Sequence, residues 1–111
     1  MAEKFVIYHN PRCSKSRQAL EILRQRGIEP VVIEYLKTPL DAKTLRSLGL
    51  PVRELIRDNE DEYAALNLAG KSDADLIAAI VKHPILLQRP IVVHGKRAVV
   101  ARPPERVQEL W

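Results

Sequence analysis

Cys13 is the only cysteine in a chain of 111 residues, and its neighbours are basic and hydroxylic rather than apolar. Arg12, Lys15 and Arg17 flank it, and Cys13-Ser14-Lys15-Ser16 has the form C-x-x-S. A buried free cysteine behaves as a small hydrophobe. These neighbours point instead to a reactive thiol, because nearby cations stabilise the thiolate, which is the nucleophilic form. Ser16 stands where a C-x-x-C oxidoreductase keeps its resolving thiol. A hydroxyl there can hydrogen-bond a thiolate or an oxyanion but cannot close a disulfide. With no second cysteine, any redox cycle must borrow a thiol from outside, from glutathione or another protein. Arg17, Arg57, Arg89 and Arg102 can converge on the same place. Guanidinium groups grip tetrahedral oxyanions in planar, paired geometry. A thiolate among arginines suits nucleophilic attack on an oxyanion centre such as arsenic or phosphorus. His9, four residues before the cysteine, can stabilise the thiolate, shuttle a proton or simply pack at a strand end. One cysteine and three scattered histidines lack the spacing of metal ligands.

This chemistry needs elements to hold it. Phe5-Val6-Ile7-Tyr8 reads as a strand, 4–8, and His9 to Arg12 as a loop. Ser14 to Gly27 reads as a helix, with Ala19, Leu20, Ile22 and Leu23 on one side. Cys13 is therefore expected at a helix N-terminus, where unpaired N–H groups and the helix dipole favour an anion. A second strand is expected over 31–35, which makes a right-handed parallel β-α-β unit. Asp41 can cap a helix reaching Leu48, Val52 to Asp58 reads as a short helix, and Tyr63 to Leu68 as a helical turn or two. Ser72 caps the next helix, whose buried face is Leu76, Ile77, Ile80 and Val81. Ile91-Val92-Val93 and Ala98-Val99-Val100 read as a hairpin around Gly95. Glu105 to Leu110 reads as a last short helix. The expectation is an α/β chain of thioredoxin-like order: a four-stranded mixed sheet flanked by helices, with a helical insertion in the middle.

Size and composition set the bounds. The length fits a single domain over 1–111. No apolar run approaches the ~20 residues that span a bilayer, and the N-terminus does not read as a signal peptide. A single cysteine fits a reducing cytoplasm. Eighteen basic and 14 acidic residues give a net charge of +4, spread along the chain without a long basic run. That balance suits a small anionic substrate, and no recognition motif argues for nucleic acid.

Tyr8-His9-Asn10-Pro11-Arg12-Cys13 with Ser16-Arg17 resembles the nucleophile loop of the glutaredoxin-linked arsenate reductase family. Tyr35-Leu36-Lys37-Thr38-Pro39, Val52-Arg53-Glu54-Leu55-Ile56-Arg57, the stretch His83 to Val93, and Arg102-Pro103 resemble its later segments in order. The resemblance covers essentially the whole chain. It departs in Ser14-Lys15, where the family commonly has small uncharged residues. The chain ends at Trp111 without the extension of longer plasmid-encoded members, and so resembles the short chromosomal ones. The resemblance implies a thioredoxin-like fold, a cis bond before Pro90, Cys13 as nucleophile, Arg57, Arg89 and Arg102 as oxyanion holders, and His9, Ser16 and Arg17 as supports of the thiolate loop. It implies arsenate reduction through a Cys13–arsenic adduct, with no bound cofactor, glutathione as co-substrate and glutaredoxin as partner. Two other readings stand beside it. One is a regulator resembling the Spx-type proteins that bind RNA polymerase; Ser16 in place of a second cysteine argues against its disulfide switch. The other is a thiol-transfer reductase acting on other oxidised substrates.

Overall fold

The computed structural model describes residues 4–111; the reading of the extreme N-terminus, residues 1–3, lies outside them. The four strands are β1 (Phe5–His9), β2 (Val31–Glu34), β3 (Ile91–His94) and β4 (Arg97–Val100). They form one sheet in the order β2-β1-β3-β4. β1 runs parallel to β2, with Ile7 opposite Val32, and antiparallel to β3, with Ile7 opposite Val92. β3 and β4 are an antiparallel hairpin whose two-residue loop, Gly95-Lys96, places Gly95 at φ +64°, where a side chain would be strained. The order and sense of these strands are those of a thioredoxin-like sheet.

Alternation along the strands sends side chains to two cores. On one face Ile7, Val92 and Val99 pack with Ala19 and Leu23 of α1 (Ser14–Gln25) and with Val107 and Leu110 of the 3₁₀ segment Pro104–Leu110. On the other, Ile91, flanked by Tyr8, Val93, Ala98 and Val100, packs on the inserted helices. These are α2 (Ala42–Ser47), α3 (Val52–Leu55), α4 (Asp61–Ala65) and α5 (Asp73–Lys82), with 3₁₀ turns at Leu68–Gly70 and Pro84–Leu86. Fully burying a side chain such as Leu23 or Leu76 contributes about 1.5–3 kcal/mol. The caps expected from sequence are made: Asp41 accepts from the Thr44 amide at 2.8 Å and Ser72 from the Asp75 amide at 3.3 Å.

Two expectations change. Val81 is 37% exposed rather than buried. Leu76, Ile77 and Ile80 already define the inward stripe of α5, and at 100° per residue Val81 falls at its edge. The helix expected over 52–58 stops at Leu55. Ile56 is extended and forms an antiparallel bridge with Leu87. The Arg57 amide donates to Leu86 O at 2.7 Å and the Gln88 amide to Leu55 O at 2.8 Å. Tertiary pairing thus ends the helix, and it sets Arg57 beside the segment that carries Arg89.

Among the described residues no helix is long and apolar enough to cross a membrane.

Candidate active site

The segment between β1 and α1 is a turn built from its own polar groups. The Cys13 amide donates to Asn10 O at 3.0 Å, with Pro11 at the turn position that suits its fixed φ. Asn10 Oδ1 accepts from the Arg12 amide at 3.0 Å. The Arg17 amide then donates to Cys13 O at 3.0 Å, the first bond of the helix, which makes Cys13 the N-cap of α1. Arg17 also clamps the turn from outside, donating through a terminal nitrogen to Pro11 O at 2.9 Å.

Ser16 is fully buried and faces this turn rather than the sulfur. Its hydroxyl accepts from the Asn10 amide at 3.0 Å and lies 2.7 Å from His9 Nδ1. Burial lowers the His9 pKa despite the opposing charge of Glu34, with Arg24 and Arg17 adding to the fall. The imidazole is therefore neutral near pH 7, and we assign the shared proton to Ser16, whose oxygen is already accepting from Asn10. Sequence spacing allows this hydroxyl to bond a thiolate or an oxyanion; in the structure its partners are Asn10 and His9. Ser16 braces the loop, and its backbone amide acts on the sulfur. Ser16→Ala should cost about 1–3 kcal/mol, because it strands two buried partners. Urea unfolding measures it, and an unchanged midpoint would remove the bracing role.

Cys13 is half-buried. Burial raises its pKa, but the Ser16 amide, the Arg89 side chain and the Lys15 amide together outweigh that, and the thiol lies below its ordinary value. The sulfur closes no capping hydrogen bond of full strength, and the Ser16 and Lys15 amides of the first helical turn act on it as donors aimed at a thiolate. The cation acting most on it is Arg89, from across the site, rather than the flanking Arg12, Lys15 or Arg17. Alkylation by iodoacetamide, followed against pH, should show a midpoint below that of free glutathione. A midpoint at or above glutathione's would contradict the activation.

Arg89 precedes β3 and Arg102 follows β4, and the Arg89–Pro90 and Arg102–Pro103 peptide bonds are both cis. Arg102 donates through a terminal nitrogen to Arg89 O at 2.9 Å. Arg57 donates through Nε to Glu60 Oε1 at 2.9 Å, and a terminal nitrogen of Arg89 lies 3.6 Å from the same oxygen. Arg57 and Arg89 thus share one carboxylate, and Arg102 is tied to the Arg89 backbone. Arg89 Nε and one terminal nitrogen are buried with no hydrogen-bond partner. Buried polar atoms are normally paired, so this guanidinium is set to receive an acceptor beside the Cys13 sulfur.

Sequence reasoning missed two residues here. Burial raises the Tyr35 pKa although Arg89 opposes it, so its hydroxyl keeps its proton, beside Arg89 and Asn10. It is buried without a partner. The signal was available: Tyr35 directly follows β2, and parallel strands deliver their C-terminal ends to one edge. Glu60 is the other; its spacing of three from Arg57 was the only hint. Among the described residues no group of three or more His, Cys, Asp or Glu could hold a metal. A cavity of about 360 Å³ adjoins the nucleophile loop, lined by His9, Asn10, Pro11, Arg12, Leu36 and Lys37 among others. A larger one of about 450 Å³, between Ser47, Leu48 and the β3–β4 loop, is lined by none of the site residues.

The ArsC family's sequence model matches residues 8–110. The chain is 50% identical over 117 aligned positions to the uncharacterized protein YfgD of Escherichia coli, covering 99% of this chain and 98% of that one. It is 42% identical to an arsenate reductase of Haemophilus influenzae, over 95% of this chain and 97% of the relative. The solved arsenate reductase of Vibrio cholerae superposes with a TM-score of 0.93 at 46% identity, covering the whole of both chains.

Proposed function

The chain belongs to the ArsC family, and from that membership and the geometry of its site we propose that it is an oxidoreductase reducing arsenate to arsenite, with Cys13 as nucleophile. The observation that carries the reading is Arg89. Its buried guanidinium has open donors and lies against a thiol of lowered pKa, which is the pairing an oxyanion substrate of a thiolate requires. Arg57 and Arg102, each tied to Arg89 or its carboxylate partner, complete the anion-holding set. His9, Ser16 and Arg17 keep the loop in shape.

In this mechanism the Cys13 thiolate attacks arsenic, an S–As bond forms, and one oxygen leaves with protons as water. The arginines stabilise the adduct's remaining oxygens. The thiol of glutathione then bonds to arsenic, and a second water leaves. Glutaredoxin's thiolate takes the glutathione sulfur as a mixed disulfide. The electron pair of that As–S bond stays on arsenic, which passes from the pentavalent to the trivalent state. Water finally releases arsenite and returns the Cys13 thiol. Two thiols are oxidised and one arsenic is reduced, so the electrons balance without a bound cofactor. The absence of a second cysteine supports an outside thiol. The cavity beside the loop has Arg12, Lys37 and Glu34 at its walls, with Lys37 3.5 Å from Glu34, a mixed-charge lining that suits a small thiol bearing both carboxylates and an ammonium, such as glutathione. A glutathione-dependent cycle fits a reducing cytoplasm.

The test is a coupled assay with NADPH, glutathione reductase, glutathione, glutaredoxin and arsenate. Arsenate-dependent NADPH consumption with arsenite formed is the expected result. Consumption on glutathionylated substrates without arsenate reduction would instead select the thiol-transfer reading.

A further inference from the structure

Glu60 behaves unlike an ordinary residue of its position. It is the N-cap of α4, where a carboxylate normally accepts from the amides of the first turn, yet its side chain makes no capping bond. It turns back to accept from Arg57 Nε at 2.9 Å, and it lies 3.6 Å from a terminal nitrogen of Arg89. The first contact is a charge-assisted hydrogen bond. The second is an ion pair too long for one, and that Arg89 nitrogen keeps its donor open. The carboxylate is only 23% exposed, so its charge is screened less than a surface group's.

We propose that Glu60 is a specificity-determining residue of the oxyanion site, setting it to take singly charged tetrahedral anions in preference to doubly charged ones. The inference rests on the reading of Arg57, Arg89 and Arg102 as the oxyanion holders. On that reading three guanidinium charges are set against two negative ones, the Cys13 thiolate and the Glu60 carboxylate, which leaves one positive charge for the incoming anion. A singly charged anion matches that balance. A doubly charged one exceeds it and meets the carboxylate as a like charge across the shared guanidinium groups. Arsenate near neutral pH exists in both states, so Glu60 selects the more protonated one, which already carries a proton for the oxygen that leaves as water.

Sulfate and perchlorate separate charge from shape, because both are tetrahedral and only the charge differs. Their protection of Cys13 against iodoacetamide reads binding without any turnover, at fixed pH and ionic strength. In Glu60→Gln, the sulfate concentration giving half-protection should fall about tenfold. That is the order expected for removing one charge a few ångströms away in a partly screened site. The perchlorate value should fall only about threefold, since the interaction scales with the anion's charge. Glu60→Ala should repeat the difference, with the unfolding midpoint of each variant confirming the fold. Equal shifts for the two anions, or no shift, would overturn the proposal while leaving the anion site intact. If neither anion protects the wild-type thiol at all, the oxyanion site itself fails, and this proposal with it.

Discussion

Cys13→Ser should reduce no arsenate above background in the coupled assay and should be at least as stable as the wild type. The loss follows from the chemistry. A serine hydroxyl is a weak nucleophile at its ordinary pKa, and nothing in the site replaces the lowered thiol pKa that the Ser16 amide and Arg89 produce. Removing an enzyme's nucleophile can cost on the order of 10⁶ in rate, far below the floor of an NADPH assay. The stability follows from position. Cys13 is the N-cap of α1 but its side chain closes no capping hydrogen bond of full strength. Serine is among the best N-cap residues, and a capping hydroxyl is worth about 1 kcal/mol over a residue that does not cap. The urea midpoint should therefore hold or rise while turnover disappears. Residual arsenate reduction would remove Cys13 from the mechanism. A large fall in stability would mean that the lost activity says nothing about the nucleophile.

The fold was legible wherever hydrophobic period and local capping agree. Strand β1, helix α1 and the β3–β4 hairpin follow from alternation, helical spacing and Gly95. Asp41 and Ser72 announce their caps because capping is decided within four residues. The element order then implies a thioredoxin-like sheet, and the observed order β2-β1-β3-β4 has that form. Reading failed where a distant segment decides. Nothing near Ile56 says that it will bridge Leu87 and cut its helix short. Spacing puts Ser16 one turn above Cys13, but it is the buried Asn10 amide and His9 that turn the hydroxyl inward. Charge near the cysteine in sequence was a poor guide to charge near it in space. Arg89, 76 residues further along the chain, acts on the thiol where the adjacent cations do not lead. Glu60 was invisible for the same reason, since a carboxylate at a helix start normally serves its own helix.

Arg89→Ala should cut arsenate turnover by about 10²–10³, the usual cost of losing one preorganised donor to developing charge. From sequence alone the guanidinium would act on the anion and leave the thiol nearly untouched. In the structure it acts on the thiol as well. Arg89 lowers the Cys13 pKa through a side-chain contact and through its charge, and the sulfur in turn raises the Arg89 pKa against the opposing effect of burial. Arg89→Ala should therefore also move the alkylation midpoint of Cys13 upward. The two effects separate by pH. Below the wild-type midpoint both contribute to the defect. Well above the midpoint of the variant, Cys13 is ionised in both proteins, and whatever defect remains belongs to the anion and its adduct. Most of the loss should persist there if the open Arg89 donors take the oxygens of arsenic, because that contact does not depend on the proton on sulfur. Arg89→Lys should bring the midpoint much of the way back, since a point charge still stabilises a thiolate. It should recover only part of the turnover, since an ammonium cannot present two fixed donors to two oxygens. A variant whose turnover recovers fully once Cys13 is ionised would confine Arg89 to activating the thiol. The oxyanion role would then fall to Arg57 and Arg102 alone.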